Sequence, residues 1–263
     1  MARIRLDQLL TDRGLARSRA QAQALIHAGQ VELDGNRRLK PGQLVSADVQ
    51  PLILEKPRWA SRAGLKLEAA LEAFEIDPTG LACLDAGAST GGFTDVLLSR
   101  GARIVYAVDV GRAQLIQRLR DDPRVLSMER TNLRTLRELP EPIDLATLDL
   151  SFISLRLVLP AVRDLLADTG RIVALVKPQF EAGKEDVPRG GVVRDSAVWE
   201  RVLTDLANDA QTVGLGASRA IPSPIEGGEG NVEFLVDIRR GQRNPAYGVS
   251  VATAVRDGGG PPA

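Results

Sequence analysis

Five polar residues in this 263-residue chain sit where chemistry could be done: Asp85, Asp109, Asp149, Lys177 and Glu233. The first four close or directly follow short aliphatic runs, and Asp85 leads into the glycine-rich turn Gly87-Ala88-Ser89-Thr90-Gly91-Gly92-Phe93. An aliphatic strand ending in Asp, then Gly-x-x-x-Gly-Gly, lets backbone pass close under a ligand, because glycine tolerates positive φ and carries no Cβ. This is a nucleotide-type pocket or, on the plainer reading, a tight structural turn. It is not a dinucleotide site, since the G-x-G-x-x-G spacing is absent. Asp109, in Val108-Asp109-Val110-Gly111, closes the second strand about 20 residues after the turn, where an acidic side chain can accept hydrogen bonds from two ribose hydroxyls; capping or solvation is the alternative. Lys177 ends the run Ile172-Val173-Ala174-Leu175-Val176, which should be buried on both faces. Partial desolvation makes a lysine a usable base, whereas nearby carboxylates favour its charged form. Asp149, on the neighbouring predicted strand, is the counter-charge. Glu233, after the turn-forming Gly227-Gly228-Glu229-Gly230-Asn231, offers a second carboxylate, and a structural salt bridge is the other reading of the set.

These residues need a scaffold that collects strand ends. From Leu81 onward strand-like runs (81–85, 103–109, 125–128, 143–149, 171–177, 215–221 and 232–238) alternate with helical patterns, most clearly Leu155, Val158, Leu159, Val162, Leu165 and Leu166. Such alternation implies right-handed crossovers and a mostly parallel seven-stranded sheet with helices on both faces. The last two strands lack an intervening helix and can pair as an antiparallel edge hairpin. Ligands of such α/β sheets bind beyond the carboxyl ends of the strands, where the polar residues fall. A helix over 63–74 precedes the sheet and embeds Lys66, which by itself reads as a solvated side chain. The Pro178 to Asp195 loop, with Glu181, Lys184, Glu185, Asp186, Arg189 and Gly190-Gly191, is long enough to expect function; we expect it to close over a substrate beside Lys177. Residues 244–263, rich in Gly, Pro and Ala, are expected to form a disordered tail.

The amino-terminal stretch differs. Residues 4–13 and 18–29 place Leu6, Leu9, Leu10 and then Ala22, Leu25, Ile26 on helical faces, with Ser18 as N-cap and Gly29 as stop; short strands follow at 31–33, before the Asp34-Gly35-Asn36 turn, and near Leu44-Val45. Before Trp59 there are ten basic residues against six acidic ones, a net of +4 hidden in a chain of formal charge zero. That is a modest footprint for a phosphate backbone, and Arg17-Ser18-Arg19 lies at a helix start where backbone N–H groups and guanidinium forks can share a phosphate. Pro51, Pro57 and Trp59 mark a stiff linker over 51–60. A single cysteine, Cys83, and a single histidine, His27, argue against zinc. No apolar run reaches the roughly 20 residues of a bilayer span and no secretory h-region opens the chain, so a cytoplasmic location is expected.

Arg5-Leu6-Asp7-Gln8-Leu9-Leu10, Ala16-Arg17-Ser18-Arg19, Leu33-Asp34-Gly35 and Lys40-Pro41-Gly42 resemble the S4 RNA-binding domain. The resemblance implies an α+β RNA-binding domain over 1–50, with Arg5, Arg17, Ser18, Arg19 and Lys40 as RNA contacts. Ser61-Arg62-Ala63-Gly64-Leu65-Lys66-Leu67, Asp85 to Thr94, Val108 to Gly111, Asp149-Leu150-Ser151-Phe152-Ile153-Ser154, Lys177-Pro178-Gln179-Phe180-Glu181 and Gly230-Asn231-Val232-Glu233-Phe234 resemble, in order, the TlyA-type rRNA 2′-O-ribose methyltransferases, often labelled haemolysin A, whose large domain is FtsJ-like. Ala63 departs from the family's usual glycine. The resemblance implies a Rossmann-like methyltransferase domain over 61–243, S-adenosylmethionine as donor, and a catalytic set Lys66, Asp149, Lys177 and Glu233. In it Lys177 acts on the hydroxyl as base, Asp149 and Lys66 orient it, and Glu233 holds the lysine. It also implies a donor site of Asp85, Gly87, Ser89, Gly91, Gly92, Phe93 and Asp109, and ribosomal RNA or ribosomal subunits as partner; the cysteine and histidine counts lead us to expect no metal. Base methylation fits less well, because Asp149-Leu150-Ser151-Phe152 lacks the two prolines of such enzymes. A non-catalytic RNA-binding or ribosome-assembly factor and a pore-forming haemolysin are the rival functions; no membrane segment supports the latter.

Overall fold

A computed structural model describes residues 3–27, 31–34, 36, 39–53, 58–112, 114–227, 230–241 and 243–259. The chain divides into two compact units, Met1–Arg58 and Trp59–Ala263. In the first, β1 (Arg3–Arg5), α1 (Leu6–Asp12), α2 (Arg19–His27), β2 (Val31–Glu32), β3 (Leu44–Ser46) and β4 (Leu52–Ile53) follow one another. Ile4 and Arg5, expected at the start of the helix over 4–13, belong instead to the strand Arg3–Arg5, which pairs antiparallel with Leu44–Ser46. Leu6, Leu9, Leu10, Ala22, Ile26 and Val31 make the small core. Ser18 caps α2 as expected, its Oγ accepting from the Gln21 N–H at 3.2 Å. The Gly29 stop, Gly35 and residues 54–57 of the linker lie outside the described residues.

The second unit opens with α3 (Ala63–Ala73) and then runs β5 (Ala82–Ala86), α4 (Gly92–Ser99), β6 (Ile104–Val108), α5 (Gln117–Arg120), β7 (Val125–Met128), β8 (Ile143–Leu148), α6 (Leu159–Leu165), β9 (Leu166–Val176), α7 (Pro178–Glu181), α8 (Ser196–Thr212), β10 (Leu215–Pro222), β11 (Phe234–Arg240) and α9 (Tyr247–Gly258). The seven strands lie in the order β10-β11-β9-β8-β5-β6-β7. All neighbours from β9 to β7 are parallel, and β11 enters antiparallel between β9 and β10. Aliphatic residues on both faces of the central strands bury against helices, which gives two core clusters separated by the sheet. In-register pairing of Ala86 with both Val108 and Leu148 brings the ends of β5, β6 and β8 to one rim.

The disordered tail expected over 244–263 does not hold for its main part. Tyr247, Val251 and Ala254 recur at helical spacing and are buried on one face of α9. The Tyr247 hydroxyl donates to the Leu203 carbonyl at 3.1 Å, and Ser250 Oγ exchanges hydrogen bonds with the Ala220 backbone on β10. A stripe of small residues on a Gly-flanked segment conceals this pattern in the sequence.

Candidate active site

The site has two cavities that share a wall. The first, about 500 Å³, lies over the ends of β5, β6 and β8 and is lined by Gly87, Ser89, Val108, Asp109, Val110, Leu133, Asp149, Leu150 and neighbours. Gly87, at φ +84°, must be glycine: a Cβ there would stand 2.3 Å from the Asp149 carbonyl oxygen. Its N–H and that of Ala88 donate to the Val108 carbonyl, which ties the turn to β6. Asp109 accepts from the Ser89 N–H at 2.8 Å and from the Gly111 N–H at 2.6 Å, one per carboxylate oxygen. It therefore fixes two turns while standing on the cavity wall.

Four of the residues expected at the donor site stand behind this cavity rather than on it. Asp85 is buried and accepts from Thr94 N–H at 2.8 Å, Thr94 Oγ1 at 2.6 Å and Thr147 Oγ1 at 3.4 Å. It pins the turn and α4 to the sheet. Burial pushes its carboxyl up to about 7, the Thr94 hydroxyl opposes that shift, and the Asp149 charge adds to it. Gly91, at φ +98°, leaves room for Leu119 and Leu115, whose methyls would lie 2.3 and 2.7 Å from a Cβ. Gly92 faces Ser61 Oγ in the same way, and Phe93 is a core residue.

The second cavity, about 460 Å³, is lined by Ser151, Phe152, Lys177, Gln179, Phe180, Val187, Gly191, Asn231 and Glu233. Lys177, directly after β9, places Nζ 2.7 Å from Asp149 Oδ1 and donates to Ser151 Oγ at 3.0 Å. Phe234 pairs with Val176, so continuing the register sets Glu233 opposite Lys177. Its carboxylate nevertheless takes Lys66 of α3 as its ion-pair partner. Asp149, the expected counter-charge, is the carboxylate that pairs with Lys177, and the lysine that Glu233 holds is Lys66, so the four residues form two lysine–carboxylate pairs. Both lysines and Glu233 are buried, which is tolerable because each charge is paired. Gly227 makes room for Glu233, since a Cβ there would lie 2.1 Å from Glu233 Oε1.

Two residues that the sequence does not single out as participants hold this half together. Ser151, a hydroxyl two positions past Asp149, supplies the second acceptor for Lys177. Glu181, at the end of α7, accepts from Ser154 Oγ at 2.6 Å and the Leu155 N–H at 2.9 Å. It braces the segment after β8 against the segment after β9, and burial raises its pKa. The motifs Asp149-x-Ser151 and Lys177 to Glu181 carry the only signal for either. Part of the loop from Pro178 to Asp195 is tied down by Asn231, which accepts from Val193 N–H at 3.1 Å and donates to the Gly191 carbonyl at 3.0 Å.

In the first unit, Arg5 donates to Asp7 at 3.0 and 2.9 Å and Arg19 at 3.2 Å, while Gln23 adds a bond at 2.8 Å. Asp7 is fully buried, and the Arg5 guanidinium holds its carboxyl well below the usual range. Asp7 is the unforeseen organiser of the basic face: it aims Arg5 and Arg19, whose side chains remain about half exposed. Arg17 and Lys40 are exposed, and Ser18 is spent as a cap. Among the described residues no helix is long and apolar enough to cross a membrane.

Comparison with known proteins places this geometry. Residues 59–240 match the FtsJ-like methyltransferase family and residues 4–50 the S4 domain. The chain is 49% identical over 243 residues to the Mycobacterium tuberculosis 16S/23S rRNA (cytidine-2′-O)-methyltransferase TlyA, covering 90% of each. A solved Streptococcus thermophilus structure carrying a hemolysin label superposes with a TM-score of 0.75 at 42% identity, over 98% of this chain and 97% of that one. The fold alone is shared with an S-adenosylmethionine-dependent methyltransferase structure from Listeria monocytogenes, with a TM-score of 0.51 at 19% identity over 68% of this chain and 99% of that one. The chain therefore belongs to the FtsJ-like methyltransferases, in the TlyA-type rRNA 2′-O-methyltransferase group that carries an amino-terminal S4 domain.

Proposed function

We propose that this protein transfers a methyl group from S-adenosylmethionine to the 2′-hydroxyl of a ribose in ribosomal RNA, with cytidine, named for the M. tuberculosis relative, as the target nucleoside. The observation that carries this reading is the shared wall: Asp149, Ser151 and Phe152 border the first cavity, and Ser151 and Phe152 border the second beside Lys177. Two ligands can meet there.

The first cavity suits the donor. Its volume is that of a cofactor pocket, its walls are apolar at Val108, Val110 and Leu133, and the Asp109 carboxylate stands where ribose hydroxyls would be received. Gly87 supplies the close backbone approach for the methionine part. When bound, S-adenosylmethionine supplies an activated methyl on a sulfonium, whose C–S electron pair returns to sulfur as the new O–C bond forms. What remains for the protein is alignment and removal of one proton. Lys177 takes that proton from the hydroxyl at Nζ, acting in its uncharged form after its own proton has passed to solvent, since the Asp149 carboxylate favours the ammonium at rest. Asp149 orients Lys177 and balances the ammonium that results. Lys66, held by Glu233, lines up the acceptor ribose. The loop over 178–195 closes on the RNA, and Arg5, Arg17, Arg19 and Lys40, with Ser18 at the helix start, take the phosphates. The protein works on ribosomal subunits in the cytoplasm.

The test is methyl transfer from tritiated S-adenosylmethionine to purified small and large ribosomal subunits. Incorporation into rRNA of at least one subunit is expected. A protein that binds subunits yet transfers no methyl to either is a non-catalytic assembly factor, and the reading fails.

A further inference from the structure

Lys177 is held by two acceptors of different kinds. Asp149 Oδ1 lies 2.7 Å from Nζ, and Ser151 Oγ accepts a hydrogen bond from it at 3.0 Å. The lysine is 8% exposed, whereas Ser151 is exposed and belongs to the walls of both cavities. It sits at their junction. Phe152 next to it has φ +63°, a left-handed turn that carries the chain sharply onward from the serine.

An uncharged lysine amine has two N–H bonds and one lone pair, arranged about a nitrogen that rotates freely on its Cε–Nζ bond. A base must present the lone pair, but an N–H can donate to the same hydroxyl oxygen and make an unproductive contact. Asp149 alone can occupy one N–H. The second would remain free to compete with the lone pair.

We propose that Ser151 is a positioning residue of the methyl transfer: by accepting the second N–H of Lys177, it leaves the amine lone pair as the group facing the ribose hydroxyl. The proposal rests on the reading of Lys177 as base. As the hydroxyl oxygen bonds the methyl carbon, its proton passes to that lone pair and becomes the third N–H of an ammonium that Asp149 and Ser151 already hold. No rotation of the amine is then needed during the transfer, which is the gain expected of preorganised donors and acceptors.

The experiment uses the full-length protein with purified ribosomal subunits and S-adenosylmethionine, and compares Ser151→Ala, Ser151→Thr and Lys177→Ala. For Ser151→Ala, kcat should fall by about 10- to 100-fold, the scale of one hydrogen bond to a group that becomes charged as the proton arrives. The KM for subunits and the calorimetric Kd for S-adenosylmethionine should stay within about threefold, and Ser151→Thr, which restores a hydroxyl at an exposed position, should recover most of the rate. A Ser151→Ala enzyme with undiminished kcat overturns the proposal while an inactive Lys177→Ala leaves the base reading standing. Loss of donor affinity in parallel with kcat overturns it too, since Ser151 would then act on the donor. Loss without rescue by threonine removes the hydroxyl as the agent. Full activity in Lys177→Ala defeats the base reading itself, independently of Ser151.

Discussion

The two halves of the site are built in opposite ways. The donor half is framed by one continuous stretch, Asp85 to Gly111, in which β5, the glycine turn, α4 and β6 follow each other and are locked by bonds to the Asp109 and Asp85 carboxylates, while Leu133 and the segment after β8 complete the cavity wall. The acceptor half is assembled from α3, the segments after β8 and β9, and the residues before β11; Lys66 and Glu233 stand 167 residues apart in the chain. The frame of a pocket for a compact molecule can be made by one supersecondary unit, with neighbouring strand ends closing its wall. A proton-transfer site needs opposed charges, and these come from elements that only the finished sheet brings together.

If the halves are separable, variants should divide between them. The largest effect is expected for Lys177→Ala: methyl transfer should fall by about 10²- to 10⁴-fold, the usual weight of a general base, while calorimetry finds donor binding intact. Next, Asp109→Ala should weaken S-adenosylmethionine binding by about 10- to 100-fold, as loss of a charged acceptor does, with kcat at saturating donor reduced far less. Should both variants lose donor binding alike, the two cavities behave as one site and the contrast collapses.

The same contrast explains what can be read in the sequence. The donor half is legible as a motif, because the Gly-x-x-x-Gly-Gly spacing, the strand before it and the acid after it are all local. Residue by residue the motif is less informative: Asp85, Gly91, Gly92 and Phe93 shape the turn from behind, and only burial and close approach separate them from the lining residues Gly87, Ser89 and Asp109. The acceptor half is legible by residue type and, for Asp149 with Lys177 on neighbouring strands, by pairing; the second pair is not. Glu233, expected as a second carboxylate, binds Lys66, a choice that depends on where α3 packs and that no periodicity reveals. The α9 helix is hidden for a similar reason, since Tyr247, Val251 and Ala254 become a face only when β10 and α8 are there to cover them.

Smaller effects sharpen the picture outside the two cavities. Changing Arg17 and Arg19 to alanine should weaken RNA binding and lower the slope of log affinity against log salt by about 2, one for each phosphate no longer neutralised. Filter binding at several salt concentrations measures it, and an unchanged slope would place the phosphates elsewhere. Asp85 offers a pH signature for the scaffold of the donor half. Its folded value is raised to about 7, against an unfolded value near 4, so between those pH values the folded state holds a proton that the unfolded state has released. Its contribution to stability therefore falls as pH rises from about 4 to about 7 and is flat beyond. Relative to Asp85→Asn, which cannot ionise, the wild type should melt higher at pH 5 than at pH 8; an equal offset at both would show that Asp85 titrates normally.

The position of the transferred methyl decides the central claim. A methyl on the ribose 2′-oxygen blocks alkaline cleavage at that linkage, whereas a methyl on a base does not. After transfer of tritiated methyl to ribosomal subunits and alkaline hydrolysis of the rRNA, the label is predicted in alkali-resistant dinucleotides whose 5′ member is a cytidine. Label recovered in mononucleotides would contradict the account.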